Sequence, residues 1–298
     1  MFFLYVKMNI VGDYMIIVYL LLAIIPSILI GVYLYKKDFN KEPTGLLVKL
    51  FFGGVGAAFL TYILSTIVNS FVPGLVPTLD GTTTYTYVGL FVRVIIGIAL
   101  IEEFSKWIFA YSIGYKSKEF DETYDVILYC GYVALGFATF ENLLYVFTAD
   151  NTIQVALLRA VTAVPGHVCD AILMGYYLGI SKQYELNSDI KLRNKYLILS
   201  ILIPMISHGI YDFLILSGSG LLVIAWLIFI VVLYIYAFNK LKEVSKSKKV
   251  VYQPVSNMGT ITNYYQNNNT NYVVKYCPNC GSYEPEGHFC TQCGTKIR

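Results

Sequence analysis

About seven apolar runs, each long enough to cross a bilayer as a helix of about 20 residues, constrain this chain more than any other feature. They lie at roughly 14–35, 48–70, 86–114, 126–148, 153–180, 194–216 and 219–240. The sequence is 56% hydrophobic and only 14% charged, whereas soluble domains are roughly a quarter charged. The expected fold class is therefore an all-α polytopic membrane protein of about seven transmembrane helices, with a small polar module at its C-terminus. Three parts follow: a transmembrane domain over 1–240, an Asn/Tyr/Thr-rich flexible linker over 241–275 and a ribbon over 276–298. The first run ends on Lys36 and Lys37 and shows no small-residue cleavage site, so it reads as an anchor and not as a cleaved signal peptide.

The loops alternate in charge. Basic residues sit at Lys36, Lys37, Lys41 and Lys49, then at Lys116 and Lys118. They recur at Lys182, Lys191, Arg193 and Lys195, and after the last run at Lys240, Lys242, Lys246, Lys248 and Lys249. The loops near 71–85, 149–152 and 217–219 have none. Positively charged loops stay in the cytosol, which predicts an outer N-terminus and a cytosolic C-terminus in a cell membrane. The net charge of +3 is too small to suggest nucleic acid.

The polar tail holds Cys277-x-x-Cys280 and Cys290-x-x-Cys293. Two paired thiolates suit tetrahedral Zn²⁺, and four protein ligands leave no open position for chemistry. A structural zinc ribbon is expected, kept reduced in the cytosol, where it can dock a partner. His288 is a bystander to it. Cys130 and Cys169 lie in apolar runs instead.

The informative residues are the acids and bases within those runs. Glu102, Glu103 and Lys106 share the third, Glu141 lies in the fourth, His167 and Asp170 in the fifth, and His208 and Asp212 in the sixth. A charge at the centre of a spanning helix costs roughly 2.5–3.5 kcal/mol on insertion scales. Such residues must face one another, a cavity or the bundle interior. The pairs Glu102/Lys106, Glu103/Lys106 and His208/Asp212 are one helical turn apart and share a face. Each has a structural reading too: a Glu–Lys pair can simply pack helices, a membrane His can be a satisfied packing residue, and Asp170 can serve only to orient His167. Arg93 and Arg159, nearer the helix ends, read as snorkelling or structural. Convergence at similar depth on four helices favours a functional polar site.

On these residues the chain resembles the PrsW family of intramembrane proteases, which is related to the proteases that process prenylated CAAX proteins. The marks are Glu102-Glu103-x-x-Lys106, Phe137-x-x-x-Glu141 and His208-x-x-x-Asp212, in that order, with His167 on a helix between the last two. The CAAX branch has His where this chain has Glu141, and Arg where it has Lys106, so the PrsW branch fits better. The resemblance implies hydrolysis of a peptide bond in or near the membrane, in a substrate that is itself a membrane protein, for some relatives a membrane-anchored anti-sigma factor.

A serine or cysteine nucleophile needs an adjacent base, and Cys169 does not share a helix face with His167. Activated water is the better reading. Glu102 is the expected general base, with Glu103 and Lys106 orienting it. Glu141, His167 and His208 would hold the water directly or through a catalytic Zn²⁺, and Asp212 would orient His208. A metal-free glutamate protease stays open beside the metalloprotease. So do a proton-coupled transporter, although no inverted repeat is present, and a membrane sensor or scaffold that signals through the ribbon.

Overall fold

Lipid offers no hydrogen-bond partners, so each spanning segment must bond its own backbone and the apolar runs fold as helices. The computed structural model describes residues 13–77, 85–148, 152–247, 261–267, 270–276 and 283–284. Helices α1 (Asp13–Lys37) and α2 (Thr44–Phe71) come first. Next is an unbroken helical rod, Tyr87–Tyr115, built of α3 (Tyr87–Val92), a π-helical turn (Arg93–Ala99), α4 (Leu100–Phe109) and a second π-helical turn (Ala110–Tyr115). Then follow α5 (Thr123–Thr148), α6 (Thr152–Val161), α7 (Ala163–Leu186), α8 (Ile190–Leu216) and α9 (Gly220–Ser247).

Six helical stretches among the described residues are long and apolar enough to cross a membrane: Met15–Lys37, Thr44–Phe71, Thr123–Thr148, Thr152–Leu186, Ile190–Leu216 and Gly220–Ser245. The rod Tyr87–Tyr115, in which two π-helical turns interrupt the α geometry, is not among them. The protein is an all-helical, multi-pass membrane protein through this region.

Helix α5 is the axis of the bundle. Its apolar window is 78% buried, against 22% for α1 and for α9, whose outer faces meet lipid. It packs on α1, α2 and α7. Against α2 the approach is backbone to backbone. A Cβ on Gly54 would lie 1.9 Å from the Val133 carbonyl oxygen, and one on Gly136 would lie 1.8 Å from that of Phe51. Small residues at such crossings gain close packing where lipid removes the hydrophobic driving force between helices.

The fifth run divides at Thr162, between α6 and α7. Tyr234 of α9 donates its hydroxyl to the carbonyls of Val161 (2.8 Å) and Thr162 (3.0 Å), which answers the polar backbone exposed there. Pro165 falls in the first turn of α7, where its missing N–H costs little. Pro204 lies inside α8 without ending it. Arg93, the first residue of the first π-helical turn, donates Nε to the Gly74 carbonyl at 2.6 Å, a structural contact.

The segment read as a flexible linker carries strands β1 (Ile261–Asn267) and β2 (Thr270–Tyr276), paired antiparallel, and β2 pairs in turn with β3 (Tyr283–Glu284). Cys277, Cys280, Cys290, Cys293 and His288 lie outside the described residues.

Candidate active site

Helix α4 turns its polar side inward: Glu103 and Lys106 are buried at 1% and 2% exposure, while Phe104 between them faces outward. Lys106 Nζ lies 2.5 Å from Glu103 Oε1, so of its two acidic neighbours on this helix the lysine pairs with Glu103. The same ammonium reaches Nδ1 of His167 on α7 at 3.3 Å and stands 4.6 Å over the Phe137 ring on α5. One cation thus ties three helices together.

An ammonium can only donate, so Nδ1 of His167 accepts and its ring proton lies on Nε2. That nitrogen is 2.9 Å from Glu141 Oε2, which it meets as a donor. Glu141 Oε2 also takes Arg159 Nη2 at 2.8 Å, and Arg159 Nε donates to Asn142 Oδ1 at 2.7 Å. Arg159 lies one turn before the Thr162 break, which directs α6 back toward α5.

His208 on α8 is held from the other side. Its Nδ1 donates to Glu103 Oε1 at 2.7 Å, leaving Nε2 to face Asp212 Oδ2 at 3.5 Å and Glu102 Oε2 at 3.8 Å. The ring's tightest holder is therefore Glu103, with Asp212 at a looser distance. The His167 and His208 rings meet edge to face with centroids 5.3 Å apart. Glu102 Oε2 is buried and has no hydrogen-bond partner, and Asp170 Oδ1 is in the same condition.

The structure therefore brings Glu102, Glu103, Lys106, Glu141, His167, His208 and Asp212 into one cluster. It adds Arg159 and Asn142, which the sequence reading left out. The available signal was an arginine with no local acidic partner within an apolar stretch. Glu102, Glu141, His167, Asp170, His208 and Asp212 line a cavity of about 660 Å³ that also has apolar walls from Leu158 and Leu216. It has room for a substrate backbone beside the carboxylates.

Two sets of three residues here each bring one ligand atom per residue within 4.8 Å of the others: Glu102, His167 and His208, and Glu103, Asp170 and His208. Glu141, the carboxylate expected from the sequence as a possible ligand, meets Arg159 at 2.8 Å and His167 at 2.9 Å. Two imidazoles and a carboxylate are a donor set that suits a divalent transition metal. The bare Glu102 oxygen and the outward Nε2 of His208 fit that use, while His167 would have to release Lys106 or Glu141.

A helical membrane bundle with this acid–base cluster in its interior is built as an intramembrane peptidase. The sequence profile described as PrsW family intramembrane metalloprotease matches residues 42–237, and the chain belongs to that family. It is 34% identical to protease PrsW of Oceanobacillus iheyensis over 229 residues, covering 76% of this chain and 95% of that protein. It is 35% identical to protease PrsW of Clostridioides difficile over 237 residues (78% and 94%) and 32% identical to that of Bacillus subtilis over 223 residues (74% and 93%). No solved structure gives a significant match.

Proposed function

We propose that the chain hydrolyses a peptide bond in or near the membrane-spanning part of a membrane protein, using water activated by Glu102. The observation that carries this reading is the buried Glu102 Oε2 on the cavity wall, which takes no hydrogen bond and has His208 Nε2 as a looser neighbour at 3.8 Å. A general base needs an oxygen within hydrogen-bond reach of the water it deprotonates, and Glu102 is the carboxylate of the α4 pair left uncommitted by Lys106. Glu103 and Lys106 position His208 and His167 from below. With Asp212 beside it, His208 Nε2 faces the cavity as a donor to an oxyanion when protonated. His167 and Glu141 hold the opposite wall.

If Zn²⁺ is held there, His167 and His208 with Glu102 or Glu141 are the holders, and a bound zinc supplies a Lewis acid that polarises the scissile carbonyl. Membership of the family leaves transport or a purely scaffolding role without support. The rod Tyr87–Tyr115 is taken as a seventh crossing. With it the basic loops fall on one side, which puts the N-terminus outside and the C-terminus in the cytosol. There Cys277, Cys280, Cys290 and Cys293 would hold a structural zinc in a ribbon that binds a cytosolic partner. A membrane-anchored anti-sigma factor is the substrate that the family resemblance suggests.

The test compares cells expressing the wild type with cells expressing Glu102→Gln, mapping new termini in the membrane proteome. One or a few membrane proteins cut near their spans only with the wild type would support the reading. Equal abundance of both forms with no difference in termini would overturn it. Metal content of the purified variant separates the two roles, being kept if Glu102 is the base and lost if it is a ligand.

A further inference from the structure

A second carboxylate cluster lies well away from the cavity. Asp125 precedes Glu141 on α5 by a stretch that spans about 24 Å at 1.5 Å per residue. Around it gather Asp38 and Glu42 from the α1–α2 loop and Asp121 and Glu122 from the segment before α5.

Three of these carboxylates share one arrangement, an oxygen anchored by an N–H and an oxygen left bare. Asp38 Oδ2 accepts from the Glu42 backbone N–H at 3.1 Å, and Asp121 Oδ2 from the Asn40 side-chain amide at 3.3 Å. Asp125 Oδ2 accepts from the backbone N–H groups of Asp121 (3.0 Å) and Glu122 (2.6 Å). The Oδ1 atoms of Asp38, Asp121 and Asp125 are buried with no hydrogen-bond partner, as is Oε2 of Glu42. Asp38 is 3% exposed and Asp125 is fully buried. One carboxylate oxygen from each of Asp38, Glu122 and Asp125 lies within 4.8 Å of the other two.

The nearby Lys41 turns its Nζ to the carbonyls of Tyr35, Lys36 and Asp38. Among the described residues no ion pair reaches Asp38, Glu42, Asp121 or Asp125. Buried carboxylates without a countercharge are unfavourable. An all-oxygen set with no nitrogen or sulfur selects a hard divalent cation over zinc.

We propose that Asp38, Glu122 and Asp125, backed by Glu42 and Asp121, bind a Mg²⁺ or Ca²⁺ ion that pins the α1–α2 loop to the start of α5. The ion ties α1 to the helix at the centre of the bundle from outside the membrane-spanning part of α1. This site stands independently of the hydrolytic reading.

The full-length protein in detergent, stripped with chelator at pH 8, is titrated separately with MgCl₂ and CaCl₂ while thermal unfolding is followed. A saturable rise in Tm is expected in the wild type and in Glu102→Gln, which removes a cavity carboxylate. The salt that acts at lower concentration identifies the ion. Asp125→Asn keeps an oxygen for its two N–H donors but loses the charge. Its response should need about tenfold more salt or vanish, because ligand charge sets affinity at such sites. Asp38→Asn gives the same reading if Asp125→Asn does not fold. No rise with either salt, or a rise unchanged in both Asn variants, overturns the proposal.

Discussion

Lys106 Nζ and His167 Nδ1 meet at 3.3 Å across two helices, and this contact sets which nitrogen of the imidazole carries the proton. The same lysine neutralises Glu103, which in turn holds His208. Both histidines are thus oriented from one buried ammonium.

Lys106→Met removes that ammonium and strands Glu103 as a buried charge. Breaking one partner of a buried pair costs about 3–5 kcal/mol. We expect a lower unfolding midpoint and loss of proteolysis. Adding Glu103→Gln should recover part of the stability, because the stranded charge is gone, while activity stays lost. Full activity in the double variant would disprove the orienting role of the lysine.

Arg159 uses two different nitrogens, Nη2 to Glu141 and Nε to Asn142. A lysine carries its charge on a single point and cannot reproduce that fork. Arg159→Lys should therefore behave nearly as badly as Arg159→Met. Each should lose about 1.5–3 kcal/mol, the worth of a charge-assisted hydrogen bond, and show reduced cleavage. Wild-type cleavage rates in Arg159→Lys would show that only the charge matters.

Stability in chelator should fall as pH rises. Burial pushes the Glu42 carboxyl up to about 7. Burial also raises Asp38 and Asp121. A carboxyl whose folded pKa is raised stabilises most below its unfolded value, about 4.3 for Glu, and that contribution is lost as pH climbs through about 7. Without divalent ions, Tm should decline between pH 5 and pH 8, a range bracketing that value. A flat profile in the wild type, matching that of Glu42→Gln, would contradict this.

Gly136→Ala should be among the costliest one-methyl changes in the bundle, because the new Cβ would meet the Phe51 carbonyl oxygen at 1.8 Å. Overpacking costs about 1–3 kcal/mol. Gly45→Ala, with nothing within 4 Å of the added carbon, is the control and should be neutral or slightly stabilising. Similar unfolding midpoints for the two variants would show that the α2–α5 contact yields easily.

Much of the site was legible because lipid punishes stray charge. Glu102, Glu103, Lys106, Glu141, His167, His208 and Asp212 stood out from the apolar runs, and helical spacing grouped them. Arg159 did not, since a basic residue near a helix end also reads as snorkelling, and its pairing depends on the turn at Thr162. Likewise, spacing on α4 allowed Lys106 either glutamate, and only three-dimensional packing against His167 and His208 chose Glu103. The hard-ion cluster was hidden for a different reason: acidic loop residues look like ordinary solvated surface until their burial is known. The π-helical turns were invisible because residue spacing is read on the assumption of uniform α geometry.

The turn Arg93–Ala99 gives the position of Glu102 a phase as well as a depth. Each α-helical residue rotates the chain by about 100°, whereas the wider π-helical turn accommodates an extra residue without passing that rotation on. Winding the same residues with regular α geometry, with none removed, would swing Glu102 and Glu103 about a quarter-turn around the rod. The carboxylates would then be offered to lipid with every side chain of the cluster still present. If Glu102 is the base, as proposed, peptidase chemistry in this chain depends on how the turn before α4 is wound as firmly as on which residues α4 contains.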